Sequence, residues 1–265
     1  MKIKDKVFLI TGAANGIGRA LTIQIIKNGG KVVVTDIDKK GIEKTISLAS
    51  ADSSKTLGIV LDVTNKKEIE SLPEKVISNF GQIDCIINNA GIIQPFVPIE
   101  ELEESKTEQL MNINFYGTYH LTRVFLPYLK KREVANITNI CSMGGFIPFP
   151  GQSVYGASKA AVKLMTEALY VELLDTNVKV TLIFPGAVRT EIMKNSGLKV
   201  IAKNSDMENK SITAENAAQQ IVQAIVKGRF KVMVGKDAKM LNFLYRLAPT
   251  WASKLIAKQM KVMSN

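Results

Sequence analysis

A short apolar run, Val7-Phe8-Leu9-Ile10, leads into Thr11-Gly12-Ala13-Ala14-Asn15-Gly16-Ile17-Gly18, and a helical pattern follows as far as Asn28. Glycines at this spacing carry meaning only in that context of strand, tight turn and helix. Lacking Cβ atoms, Gly12, Gly16 and Gly18 permit a sharp turn and a close approach of backbone amides to an anion at the helix start. A chain that opens this way must bring its next strand back through a helix. That makes the two strands parallel neighbours.

The rest of the sequence repeats the theme. Lys31–Thr35, Thr56–Leu61, Asp84–Asn88, Ala135–Cys141, Lys179–Phe184 and Lys231–Val234 are predicted strands. Between them, Lys39–Ser50, Lys66–Phe80 (with Pro73 inside), Glu104–Lys131, Ser153–Leu174 and Thr213–Lys227 are predicted helices. Strands that are apolar throughout, alternating with helices, imply a parallel sheet covered on both faces. The expected fold is therefore α/β, a doubly wound (Rossmann) seven-stranded parallel sheet in a single domain. A length of 265 residues, 46% hydrophobic and 22% charged, suits one such unit with a well-buried sheet. Residues 1–235 are assigned to it and residues 236–265 to a tail.

Several function classes lose ground on composition. The two cysteines, Cys85 and Cys141, lie in strand-like runs with no CxxC or Cys/His cluster, so they read as buried thiols and not as a zinc site. The one histidine, His120, sits in a helical pattern and no nucleophile elbow accompanies it, which argues against a Ser-His-Asp hydrolase. A net charge of +11 suggests a basic surface, yet no nucleic-acid module is recognisable. The start, Met1-Lys2-Ile3-Lys4-Asp5-Lys6, is too charged for a signal peptide. No apolar run approaches the ~20 residues of a membrane-spanning helix. A cytoplasmic location without a spanning segment is expected.

The residues that carry chemistry lie downstream. Tyr155 and Lys159 are four apart and share a helix face. An ammonium beside a phenol favours the phenolate and draws its pKa down, which makes a general acid/base for a hydroxyl or carbonyl. Ser142, thirteen residues before Tyr155, ends the fifth strand, where its hydroxyl can donate to a substrate oxygen. Asp36 ends the second strand. A carboxylate there accepts hydrogen bonds from an adenosine ribose and repels a 2′-phosphate, and no Lys or Arg stands at Ala13, Ala14, Asn15 or Ile37 to reverse that preference. The expected cofactor is NAD(H) over NADP(H).

These residues together resemble the short-chain dehydrogenase/reductase family over about Lys4 to Gly235. The resemblance rests on Thr11-Gly12-x-x-x-Gly16-Ile17-Gly18, Asp62-Val63, Asn88-Asn89-Ala90-Gly91, Asn114, Ser142, Tyr155-x-x-x-Lys159 and Pro185-Gly186, in that order. It implies that Gly12, Asn15, Gly16, Ile17 and Gly18 hold the pyrophosphate region and that Asp36 holds the adenosine ribose. Asp62 and Val63 would flank the adenine, and Asn88, Ala90 and Gly91 would line the pocket after the fourth strand. Pro185, Gly186, Val188 and Thr190 would meet the nicotinamide end. Tyr155 becomes the acid/base, Ser142 the oxygen donor, Lys159 the ribose partner, and Asn114 the anchor of a water relay from Lys159. The resemblance also implies a homodimer or homotetramer built on the two long helices.

The substrate side is less defined. Ile92–Phe96, Gly144–Pro150 and the stretch from Val188 to about Ile212 are expected near the mouth, with Gln94, Phe96, Gly144, Phe149 and Met193 as candidate contacts. Their apolar cast suggests a lipid-, sterol- or retinoid-like alcohol or ketone, and the segment after Thr190 reads as a lid. The tail sets Lys236, Lys239, Arg246, Lys254, Lys258 and Lys261 against Asp237 alone, with apolar residues at roughly helical spacing and Pro249 between two pieces. It fits packing against the protein itself, a partner subunit or a membrane surface. The leading function is an NAD-dependent oxidoreductase for secondary alcohols and ketones. An NADPH-dependent carbonyl or 3-oxoacyl-thioester reductase, or a cofactor-sensing binding protein without turnover, are the alternatives.

Overall fold

The computed structural model describes residues 1–49, 52–192, 196 and 211–264, with side chains as far as residue 260. In chain order the first half runs β1 (Val7–Thr11), α1 (Gly16–Lys27), β2 (Lys31–Asp36), α2 (Lys39–Leu48), β3 (Thr56–Val60), α3 (Lys66–Phe80), β4 (Cys85–Asn88), α4 (Glu104–Met111) and α5 (Gly117–Leu129). The second half runs β5 (Ala135–Ile140), α6 (Ser153–Glu172), β6 (Val178–Pro185), β7 (Val188–Arg189), β8 (Ile212–Thr213), α7 (Ala214–Val226), β9 (Lys231–Val234), α8 (Lys236–Leu247) and α9 (Pro249–Ser264).

Seven strands form one parallel sheet in the order β3-β2-β1-β4-β5-β6-β9. Register is direct: Val7 lies beside Lys31 and Thr11 beside Thr35 on one side of β1, and Phe8 beside Cys85 on the other. Every residue of β1, β4 and β5 is buried, as a sheet covered on both faces requires. One face packs Leu21 and Ile25 of α1 with Ile221 and Ile225 of α7 over Phe8, Ile10 and Val34. The other packs Ile69 and Leu72 of α3, Phe125 of α5 and Leu169 of α6 over Leu9, Val33 and Ile137. Burying a side chain such as Phe8 or Phe125 contributes about 1.5–3 kcal/mol.

Local chemistry fixes the element ends. The Asn65 side chain accepts the Glu68 amide hydrogen at 3.3 Å at the start of α3, and Gly81 at φ +73° ends it. The single helix expected over Glu104–Lys131 is interrupted. Asn112–Tyr116 form a π turn between α4 and α5, a feature that hydrophobic periodicity does not signal. The two-residue pair of β7 and β8 was likewise not foreseen.

At the opposite edge of the molecule from the strand C-termini, Asp84 is fully buried. It accepts from Val7 N at 2.9 Å and Gln82 Nε2 at 2.9 Å, and pairs with Arg132 Nε at 2.9 Å and Lys6 Nζ at 3.4 Å. This knot ties the starts of β1 and β4 to the end of α5. No helix among the described residues is long and apolar enough to cross a membrane.

Candidate active site

The strand order reverses between β1 and β4, and a cleft of about 680 Å³ opens at their C-terminal ends. Its floor is the glycine turn. Gly12 holds φ +63°, and a Cβ placed on it would stand 2.9 Å from Ala90 Cα, so only glycine lets the β1 and β4 loops meet. Asn89 locks that meeting. Its Nδ2 donates to Thr11 O at 2.9 Å and Gly12 O at 3.0 Å, and its amide donates to Thr11 Oγ1 at 3.0 Å. Asn15, Gly16 and Ile17 line the cleft at the start of α1, where amides without helical partners attract an anion. Gly18 lies behind them, buried against Gly12 and Asn89.

Asp36 lies at the rim, its carboxylate accepting the Ala14 amide at 3.0 Å and the Asp38 amide at 3.1 Å. Opposite, Asp62 Oδ1 accepts from the Thr64 amide and hydroxyl, both at 2.8 Å, and Val63 lies next to it on the same wall. Asp36, Asp38, Asp62 and Glu108 are the charged side chains lining the cleft among the described residues; no lysine or arginine joins them. Thr190 lines the cleft against the glycine turn: a Cβ on Gly16 would meet its side chain at 3.3 Å. These features make a cradle of the right character for a dinucleotide: amides at one end, a carboxylate at the other.

Ala90 and Gly91 line the cleft as expected, but Asn88 does not. Its Nδ2 donates to Thr122 Oγ1 at 3.1 Å and to Asn139 Oδ1 at 2.7 Å, and Asn139 Nδ2 donates on to Thr166 Oγ1 at 2.8 Å. Asn88 thus joins β4 and β5 to the helices behind the sheet, and Asn89 takes the place at the cleft. Alternation along the strand carried the signal: adjacent residues face opposite sides. Pro185, Gly186 and Val188 also lie outside the cleft lining. Gly186 is covered by the Asp237 carboxylate, which accepts the Ala187 amide at 2.6 Å.

Tyr155 and Lys159 are buried on α6, and Gly144 packs on the Tyr155 ring, with room for a Cβ only 3.2 Å from Cε1. Lys159 Nζ donates to Ile140 O at 3.2 Å. A Cβ on Gly91 would stand 3.2 Å from that Nζ and 3.1 Å from Asn114 Oδ1, so the β4 loop brings both side chains to one point. Asn114, in the π turn, is fully engaged. Its Oδ1 accepts the Ile92 amide at 2.9 Å, and its Nδ2 donates to Ile92 O and Ser158 Oγ, both at 3.0 Å. The side chain is a clamp between loop and helix.

Burial pushes the Tyr155 phenol up to about 12, against a hydrogen bond with Ser142 that pulls it down. Burial likewise holds the Lys159 ammonium below its ordinary value. The sequence led us to expect a phenol depressed by Lys159; in this structure desolvation wins, and Ser142 is the opposing influence. Ser142 also accepts the Gly144 amide at 3.1 Å, which aims its hydroxyl. Both cysteines are buried, and the Cys141 thiol donates to Lys159 O at 3.1 Å.

Of the substrate candidates, Gln94 faces inward. It is fully buried, its Oε1 accepts the Tyr155 amide at 2.7 Å and its Nε2 donates to Gly151 O at 2.8 Å. Phe96 is exposed and lies against Gly151, whose Cβ would stand 3.1 Å from Phe96 C, while Phe149 is half-buried two residues before Gly151. Met193 lies outside the described residues, as does most of the expected lid. Ser196 from that stretch is described: its hydroxyl accepts the Ile93 amide at 2.9 Å across the cleft. Ile92 and Ile192, both within the stretches expected near the mouth, supply apolar lining to the cleft.

The chain matches the short chain dehydrogenase family over residues 6–201. SadH of Mycobacterium tuberculosis, an oxidoreductase in name, is 34% identical over 262 residues, covering 96% of this chain and 95% of its own. That span is too long to omit the tail. A 3-oxoacyl-[acyl-carrier-protein] reductase, FabG of Thermotoga maritima, is 35% identical over 190 residues, covering 72% of this chain and 77% of its own. Among solved structures, a short chain dehydrogenase/reductase from Burkholderia phymatum in complex with NAD superposes with a TM-score of 0.82 at 25% identity, covering 93% of this chain and 96% of that one.

Proposed function

The chain belongs to the short-chain dehydrogenase family, and on that premise we propose that it is an NAD(H)-dependent oxidoreductase interconverting a secondary alcohol and a ketone. The observation that carries the proposal is the convergence of Tyr155, Ser142 and Lys159 behind the loop that forms the dinucleotide cleft. Gly12, Asn15, Gly16 and Ile17 would hold the pyrophosphate, Asp36 the adenosine ribose, and Lys159 the nicotinamide ribose. The bound nicotinamide supplies or accepts the hydride.

Tyr155 holds the proton. A phenol raised to about 12 is protonated at neutral pH, the form that gives a proton to a carbonyl oxygen in ketone reduction. Ser142 donates to the same oxygen and stabilises charge there. Lys159 is the cation that counters the phenolate left behind. Asn114 acts through others, holding the Ile92 loop and α6 at a fixed separation. Ile92, Ile192, Phe96 and Phe149 support an apolar substrate. NAD(H) is favoured because, among the described residues, four carboxylates and no cation line the cleft, which opposes a 2′-phosphate. The relationship to FabG of Thermotoga maritima supports a second reading, reduction of a 3-oxoacyl thioester with NADPH. Assembly into a homodimer or homotetramer is supported by large side chains left exposed on the long helices, Tyr119 of α5 and Leu164 and Val171 of α6, with Tyr116 in the π turn.

The test is oxidation of NADH and NADPH over ketones and 3-oxoacyl thioesters of graded chain length, with Tyr155→Phe as control. Turnover should fall by about 10²–10⁴ in the variant while cofactor binding persists. Near-normal turnover in Tyr155→Phe, or no turnover by the native chain with any ketone, would overturn the proposal.

A further inference from the structure

Helices α8 and α9 attach to the body by one side only. Ala238, Ala252 and Ile256 are buried, and the Tyr245 ring lies 6.5 Å from that of Phe146. The other side is unusual for a helix facing water. Met240, Phe243, Leu247 and Trp251 are 57%, 62%, 68% and 56% exposed. Spacings of three and four residues place Met240, Phe243 and Leu247 on one stripe of α8, and Trp251 stands exposed in the first turn of α9, past the break at Ala248. Isolated exposed apolar residues are ordinary, but an aligned stripe with aromatics marks a contact surface.

The charges around this stripe have one sign. Lys236, Lys239, Arg246, Lys254 and Lys258 are all exposed. Lys239 and Arg246 flank Met240, Phe243 and Leu247 on the same face, and Lys254 and Lys258 continue from Trp251 at helical spacing. The one acid of these two helices, Asp237, is engaged by the Ala187 amide and lies against Gly186.

We propose that this face of α8 and α9 docks on an anionic lipid surface, with Phe243, Leu247 and Trp251 entering the headgroup boundary and the five cations meeting lipid phosphates. Apolar and aromatic residues on one face with lysines and arginine at its edges are the composition of an interfacial helix. Neither helix is of the kind that spans, so the contact is peripheral. A second copy of the chain is disfavoured, because a two-fold contact through this face would set like charges against each other. The proposal does not depend on the catalytic reading.

Trp251 is the one tryptophan of the chain, so its fluorescence reports this face directly. The full-length protein should show a blue shift and co-flotation with phosphatidylcholine vesicles containing phosphatidylglycerol. The effect should vanish at high salt and with pure phosphatidylcholine. Lys239→Gln with Arg246→Gln should weaken binding roughly 25-fold, about fivefold per charge. Phe243→Asp should remove flotation and leave cofactor binding intact. Absence of any shift with anionic vesicles would overturn the proposal. So would a shift that follows protein concentration without lipid, which marks self-association, or one elicited by polyglutamate and not by vesicles, which marks an acidic protein partner.

Discussion

Gln94 holds Tyr155 by its main chain: the buried side-chain oxygen Oε1 of Gln94 accepts the Tyr155 amide hydrogen at 2.7 Å. The first turn of α6 therefore hangs from a side chain in the loop after β4, and Gln152 Nε2 returns the contact by donating to Gln94 O at 3.0 Å. Replacing Gln94 by Leu leaves that amide buried without a partner, a cost of about 1–3 kcal/mol. The expected outcome is a lower melting temperature and a loss in kcat larger than any change in KM, with Gln94→Glu restoring part of both. Unchanged kcat in Gln94→Leu would remove the positioning role.

Burial raises the Tyr155 phenol pKa and Ser142 opposes that rise. Its hydrogen bond lowers the phenol pKa, so Ser142→Ala raises it. Ketone reduction uses the protonated phenol and fades as pH rises through that pKa, so its alkaline limb should move to higher pH. Alcohol oxidation uses the phenolate and grows through the same pKa, so its rising limb should also move up. Profiles of kcat/KM in both directions check the sign, and a shift to lower pH would contradict it.

Asp36 should decide between cofactors. Asp36→Ser removes the carboxylate that faces the adenosine end, and the ratio of NADPH to NADH efficiency should rise about tenfold or more. An unchanged ratio would assign the preference to Asp38 and Asp62 instead.

Asp84 concerns stability alone. Asp84→Ala strands the Arg132 guanidinium and the Val7 amide, at about 3 kcal/mol. That corresponds to a fall in melting temperature of about 10 °C, read by calorimetry. Cofactor affinity should be unaffected at temperatures where the variant is folded.

The fold was legible because seven apolar runs and the helical stretches between them obey period rules that tertiary contacts did not override, Val7–Thr11 and Cys85–Asn88 above all. The dinucleotide cradle was legible for the same reason as Gly12: a backbone requirement leaves its mark in residue type. What escaped was side-chain direction. Gln94 and Asn88 are polar residues beside the site, and their type does not tell whether they face substrate or tie elements together. The burial of Tyr155 was equally invisible, because it depends on Gly144 and the loop folded over the ring. Spacing alone put Lys159 next to Tyr155 but not the balance of desolvation against charge.

The π turn at Asn112–Tyr116 fits one residue more than a regular helix would in the same rise. Deleting a single residue there would let the helix relax to ordinary geometry, with α4 and α5 keeping their faces, and would remove the wide turn that holds the Asn114 side chain on the loop after β4. Ile92 would lose its anchor while the helix itself gained regularity. Engineers who shorten or idealise this segment for robustness would be expected to obtain a sturdier, idle protein.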